Sequence, residues 1–258
     1  MPVYEPGSVP DVFDAAFWAF VGSAALIVGA LLGFWLNVSK KALGLIMGFG
    51  AGTLISAVSF DLVAEAFKES PGIPLVGGLL GGAFAFWGGD LILERQREKK
   101  ALERGEPLAA AGEEAGSGLQ LALGATLDGV PESVAIGLTL LTGNTVSVAV
   151  VVAVFLSNVP EGMAASIELV RTGYSRAKIM MIWLGVVVLC VVAAAIGYAL
   201  LGNTEPRTVA FIQSFAAGSI LSMLAITMMP QAFAKGGRAV GLVTVLGFIL
   251  AAGLSAQG

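Results

Sequence analysis

Histidine is absent from this chain, which excludes His-ligated zinc sites, histidine proton relays and Ser-His-Asp triads at once. Cysteine occurs once, as Cys190 inside an apolar run, so there is neither an intramolecular disulfide nor a thiolate cluster. Charge is scarce: Asp, Glu, Lys and Arg make up 12% of the residues, and the net balance of −4 says little by itself. No Lys or Arg precedes the first apolar run, so the start of the chain does not read as a cleaved signal peptide. What remains is apolar. Of the 258 residues 57% are hydrophobic, and 35 are glycines, the residue that lets membrane helices approach closely. With a mean hydropathy of +0.88, the chain is expected to be an all-α integral membrane protein, one transmembrane domain over 1–258, with the lipid bilayer as its solvent and no nucleic-acid partner.

Apolar runs bounded by charge, Gly or Pro predict eight spans, at about 14–36, 42–67, 74–93, 119–141, 145–169, 178–201, 208–232 and 239–256. Residues 1–13 precede the first span, and the charged stretch 94–118 is the one long polar loop, read as a solvated linker. Basic residues decide the orientation. Lys40, Lys41, Arg95, Arg97, Lys99, Lys100, Arg104, Arg171, Arg176, Lys178, Lys235 and Arg238 fall on alternate loops, against only Lys68 and Arg207 on the others. The positive-inside rule then puts both termini outside the cytoplasm and the 94–118 loop inside. Trp18, Trp35, Trp87 and Trp183 read as aromatic anchors near span ends.

Two segments repeat each other. Residues 127–137 read Leu-Asp-Gly-Val-Pro-Glu-Ser-Val-Ala-Ile-Gly, and 156–166 read Leu-Ser-Asn-Val-Pro-Glu-Gly-Met-Ala-Ala-Ser. Each places a Pro-Glu pair, Pro131-Glu132 or Pro160-Glu161, inside a stretch otherwise fit for hydrocarbon. An ionisable residue at that depth is costly and marks function by default. A proline there breaks the helix ladder and frees the carbonyl one turn earlier, near Leu127 and Leu156. A second repeat relates 49–67 to 215–233: Phe49 matches Phe215, Gly52 Gly218, Ser56 Ser222, and Ala66-Phe67 Ala232-Phe233. In the predicted topology both pairs run in opposite directions, giving inverted repeats in a 3+2+3 arrangement, as in carriers that alternate access around a central site.

Asp128 and Glu132 are four apart and share a face of the fourth span, and Ser157 and Glu161 hold the same places on the fifth, with Asn158 beside them. Facing helices would converge Asp128, Glu132, Asn158 and Glu161, with Ser157 a weaker member, into an all-oxygen cage suited to Mg²⁺, Mn²⁺, Ca²⁺ or Fe²⁺. Dedicated zinc sites usually include His or Cys, yet geometry and availability decide selectivity, so zinc stays open. Neither span holds a Lys or Arg to pair with these acids. Crowded carboxylates cannot all stay ionised without a cation, so metal and protons should compete. Asp61 and Glu65 on the second span mark an outer access path, with a plain interfacial acid the simpler reading of Glu65. Asp90 and Glu168, near cytoplasmic ends, mark either an inner path or solvated helix ends.

At these residues the chain resembles the ZIP (Zrt/Irt-like) family of divalent metal transporters, as a histidine-free variant. The resemblance covers nearly the whole chain, including Ser59-Phe60-Asp61-Leu62-Val63-Ala64-Glu65-Ala66, and rests most on Asp128-Gly-Val-Pro-Glu-Ser133 and Ser157-Asn-Val-Pro-Glu-Gly162 in place of paired His-Asn-x-Pro-Glu-Gly motifs. It implies ligand roles for Asp128, Glu132, Asn158 and Glu161, and more weakly for Ser157. It also implies uptake across the cell (plasma) membrane toward the cytoplasm, dimers in some members, and spans 1, 4, 5 and 6 moving against 2, 3, 7 and 8. The transported ion, Zn, Mn, Fe, Cd or Mg, is cargo; no prosthetic group and no enzymatic activity are expected. The family's helix-4 histidine is replaced by Asp128, its following asparagine by Gly129, and the helix-5 histidine by Ser157. The sixth span has no acid, so a single-metal site with harder ligands is expected.

Four other readings compete. A proton-linked carrier of a small non-metal substrate would use Asp128, Glu132 and Glu161 as relays, but no embedded Lys or Arg would hold an anion. An intramembrane aspartyl protease has Asp61, Asp90 and Asp128 to draw on, but leaves the repeated Pro-Glu pairs unexplained, and an alcohol phosphotransferase would need an arginine after Asp128-Gly129. A metal-insensitive structural membrane protein predicts that Glu132→Ala and Glu161→Ala are tolerated.

Overall fold

The computed structural model describes residues 11–36, 38–103, 118–143, 146–201 and 204–256. They form α1 (Val12–Trp35), α2 (Lys40–Glu69), α3 (Ile73–Glu103), α4 (Gly118–Gly143), α5 (Val148–Arg171), α6 (Arg176–Leu201), α7 (Pro206–Gly236) and α8 (Ala239–Ser255), and there is no strand among the described residues. Local chemistry sets the ends. Asp11 caps α1, accepting from the amides of Phe13 and Asp14 while Asp14 accepts from the Asp11 amide, a reciprocal capping box. Ser39 and Ser147 cap α2 and α5, and Pro206 opens α7, where its missing amide costs nothing. At the end of α5 the Tyr174 amide reaches back to the Leu169 carbonyl and Gly173 to Val170, a Schellman closure that needs the positive φ of Gly173, 90°.

Among the described residues six helices are long and apolar enough to cross a membrane: Val12–Trp35, Lys40–Glu69, Ile73–Gln96, Val148–Arg171, Arg176–Leu201 and Pro206–Gly236. The other two are the acid-bearing α4 and the shorter apolar α8. Around an apolar core, large hydrophobic side chains also face outward, and a set of polar ones lies inside. Ile73, Val76, Leu80, Phe84 and Trp87 expose one face of α3, and Leu242, Val245, Leu246 and Ile249 one face of α8. Thr53, Ser56, Glu132, Ser157, Asn158, Ser166, Gln213 and Ser214 lie inside. This arrangement suits a lipid solvent.

Glycine sets the helix spacing. α1 packs on α5, α2 on α8 and α3 on α7. A methyl group at Gly29 would overlap the Val159 carbonyl, and one at Gly162 the Leu26 carbonyl, so α1 and α5 touch backbone to backbone. Gly52 meets Thr244 and Gly247 meets Phe49 across α2 and α8 in the same way, and Gly82 meets Phe215 and Gly218 meets Leu79 across α3 and α7. Gly52 and Gly218 are partners in the repeat that pairs Phe49 with Phe215, and each presses on the backbone of a neighbouring helix. The equivalence reaches further: α2 widens to a π-helix over Val58–Val63 and α7 over Leu224–Met228, starting at matched positions. Such bulges are frequent at functional sites.

Three expectations need correction. Helix α3 does not stop at 93 but runs through Glu94 to Glu103, because Glu, Arg, Lys, Ala and Leu are strong helix formers and the first breakers are Gly105 and Pro107; the rest of the expected 94–118 loop, up to Gly118, lies outside the described residues. Helices α4 and α5 are not broken at Pro131 and Pro160 but continue through them. Trp183 is no interfacial anchor: it is buried on α6, and its indole N–H donates to Ser166 Oγ at 2.8 Å, pinning α6 to α5. Trp35 and Trp87 are exposed, in keeping with an interfacial position.

Candidate metal centre

The acidic motifs of α4 and α5 sit where α1, α2 and α6 close around them. Pro160 leaves the Leu156 carbonyl without its helical amide, and Gly50 of α2 lies against that carbonyl and the Ser157 Cα, admitted by its lack of a side chain. Asn158 is buried and donates from Nδ2 to the Gly22 carbonyl of α1 at 3.3 Å. Its repeat partner Gly129 has no side chain, and there the Cys190 sulfur of α6 fills the space, 2.9 Å from where a Cβ would stand.

The three acids share one electrostatic neighbourhood: Glu132 feels the charge of Asp128, and Glu161 feels both Asp128 and Glu132. Glu132 is 1% exposed, and its Oε2 has no hydrogen-bond partner among the described residues. A buried carboxylate oxygen in that condition costs several kcal/mol unless a cation or proton joins it, on the order of 1–3 kcal/mol even for a neutral group. Asp128 and Glu161 are half-buried. Ser157 is buried, with its hydroxyl donating back to the Val154 carbonyl at 2.9 Å, so it offers a further ligand only through its lone pairs. Among the described residues no three Asp, Glu or Cys side chains already stand at ligand spacing. Any ion held here must therefore draw the acids together or add amide, hydroxyl or carbonyl oxygens such as those of Asn158, Ser157 and Leu156.

The residues read as an access path divide. Asp61 sits in the π-turn of α2 and is a node. Its Oδ1 accepts from Ser147 Oγ at 2.6 Å and its Oδ2 from Ser255 Oγ at 2.6 Å, while Gln213 Nε2 donates to its backbone carbonyl at 3.3 Å. It thus ties the start of α5, the end of α8 and the N-terminal part of α7 to α2, and the Ser147 amide continues the chain by donating to Thr139 Oγ1 of α4 at 3.1 Å. Glu65 pairs with Lys68 one turn on. Glu168 pairs loosely with exposed Arg171 at 3.6 Å, as a solvated helix end would. Asp90 is half-buried on α3.

No family model matches the chain. A curated protein of Arabidopsis thaliana, named "Putative zinc transporter", is 28% identical over 226 residues, which is 86% of this chain but 35% of that protein. The chain thus spans about a third of the length of the curated relative it matches.

Sequence reasoning missed two groups at these centres. One is Cys190, which looks like packing in an apolar run; the signal was the missing side chain at Gly129, where the other copy of the repeat has Asn158. The other is the set of hydroxyls on Asp61, which come from Ser147 and Ser255, far away along the chain, and carried no local signal.

Proposed function

We propose that this protein is a ZIP-like carrier that moves a divalent metal cation across a cell membrane toward the cytoplasm. Its eight helices would all span the bilayer in a 3+2+3 arrangement with both termini outside. The observation that carries the reading is Glu132: a carboxylate 1% exposed, with an oxygen that has no partner among the described residues, beside Asp128 and Glu161, on helices with no Lys or Arg between Gly118 and Val170. A mobile cation is the missing counter-charge. The name of the Arabidopsis relative supports zinc among the candidate ions. The matched π-turns and glycine contacts of α2 and α7 support two related halves moving around a site between them. Asp128, Glu132, Glu161 and Asn158 would hold the ion, with Ser157 and the Leu156 carbonyl completing the shell. Protons would leave as it binds.

The test is uptake of Zn²⁺, Mn²⁺, Fe²⁺, Cd²⁺ and Mg²⁺ into liposomes that contain the reconstituted protein and a metal-sensitive dye. Influx that disappears in Glu132→Ala/Glu161→Ala establishes the site. Equal influx in wild type and double mutant overturns it.

A further inference from the structure

Cys190 is the chain's one cysteine and is fully buried on α6. Its position is not that of a residue filling an indifferent gap. The sulfur lies against the backbone of the α4 motif at Gly129, in a place that any side chain at 129 would occupy. The hydroxyl of Ser133, the next residue along the chain from Glu132, is placed to donate to it. The second observation is independent of the cysteine: the neighbouring Glu132 Oε2 is buried and has no partner among the described residues. The two motifs also differ in one telling way. On α5 the motif's own Asn158 supplies a polar side chain, anchored on Gly22 of α1. On α4 the corresponding residue has none, and the facing helix supplies a sulfur instead.

We propose that the Cys190 thiol is a specificity-determining metal donor, acting beside Glu132 to favour a thiophilic divalent ion, zinc or cadmium, over hard manganese or magnesium. This deepens the carboxylate-site reading above and rests on it. The chemistry is that of ligand softness: carboxylate and carbonyl oxygens alone favour hard ions, and one thiolate shifts the balance toward zinc and cadmium. Ligation forms a metal–sulfur bond and releases the thiol proton to solvent. It also changes the expectation drawn from an acid-free sixth span, because α6 then contributes to the site through sulfur.

The presence of one cysteine makes the test clean. Purified full-length protein in detergent is titrated with Cd²⁺, and the ultraviolet charge-transfer absorbance of a cadmium–thiolate bond is followed. The expected result is a band that saturates at one equivalent in wild type and is absent in Cys190→Ser. In liposomes the Cd²⁺-to-Mn²⁺ uptake ratio of that variant should fall about tenfold. Cadmium bound or transported by wild type with no thiolate band overturns the proposal and leaves the carboxylate site standing. Cadmium neither bound nor transported overturns both. The wild-type spectrum decides the matter even if Cys190→Ser folds poorly.

Discussion

Glu132 and Asp61 are both acids within apolar helices, and they are opposites. Each Asp61 carboxylate oxygen accepts a hydroxyl at 2.6 Å, from Ser147 on one side and Ser255 on the other. Glu132 is more deeply buried, yet its Oε2 has no such donor among the described residues. A satisfied intramembrane acid is part of the scaffold; an unsatisfied one stores a demand for a cation or a proton. Sequence alone graded both by depth. The structure separates them by what they touch, and places Asp61 at a junction of α2, α5, α7 and α8.

The largest expected effect lies on the Glu132 side of that comparison. Glu132→Gln should abolish metal uptake in liposomes while leaving the metal-free protein as resistant to unfolding as wild type, because no hydrogen bond to Oε2 is lost. A marked loss of stability would mean that Glu132, like Asp61, is structural. Asp61→Ala should do the reverse in kind: it removes the acceptor of two hydroxyls and should destabilise the protein by about 2–4 kcal/mol in an unfolding assay in detergent or bicelles. Next in size is Gly129→Ala, whose new methyl meets the Cys190 sulfur; a loss of about 1–2 kcal/mol is expected, relieved in Gly129→Ala/Cys190→Ala. Absence of that relief in a double-mutant cycle would show that the two positions do not touch. The smallest effects belong to Glu65→Ala and Glu168→Ala, whose exposed pairs with Lys68 and Arg171 should change stability by no more than about 0.5 kcal/mol and leave uptake near wild type.

Much of this was legible in the order of residues. Apart from the C-terminal end of α3, the apolar runs located the helices to within a few positions, since a hydrocarbon solvent leaves the chain few other ways to satisfy its backbone. The Pro-Glu repeat stood out because both residues are rare at such depth. The repeat joining 49–67 to 215–233 extends to the backbone, in π-turns that begin at Val58 and Leu224. The overrun of α3 was missed because hydropathy marks where apolar character ends, whereas a helix of Glu, Arg and Lys needs none to continue. The serines on Asp61 and the sulfur at Gly129 were missed for another reason. They are tertiary contacts between weakly polar residues, and nothing in the local pattern distinguishes Ser147, Ser255 or Cys190 from packing.

The account stands on a cation joining the buried acids, and equilibrium binding tests that most directly. Zn²⁺, Cd²⁺ and Mn²⁺ would be titrated into purified protein at neutral pH, with heat and released protons recorded for wild type and for Glu132→Gln/Glu161→Gln. Saturable binding with proton release in wild type, lost in the double variant, is the predicted result. Wild-type protein that binds no divalent ion, or a double variant that binds as well as wild type, would contradict it.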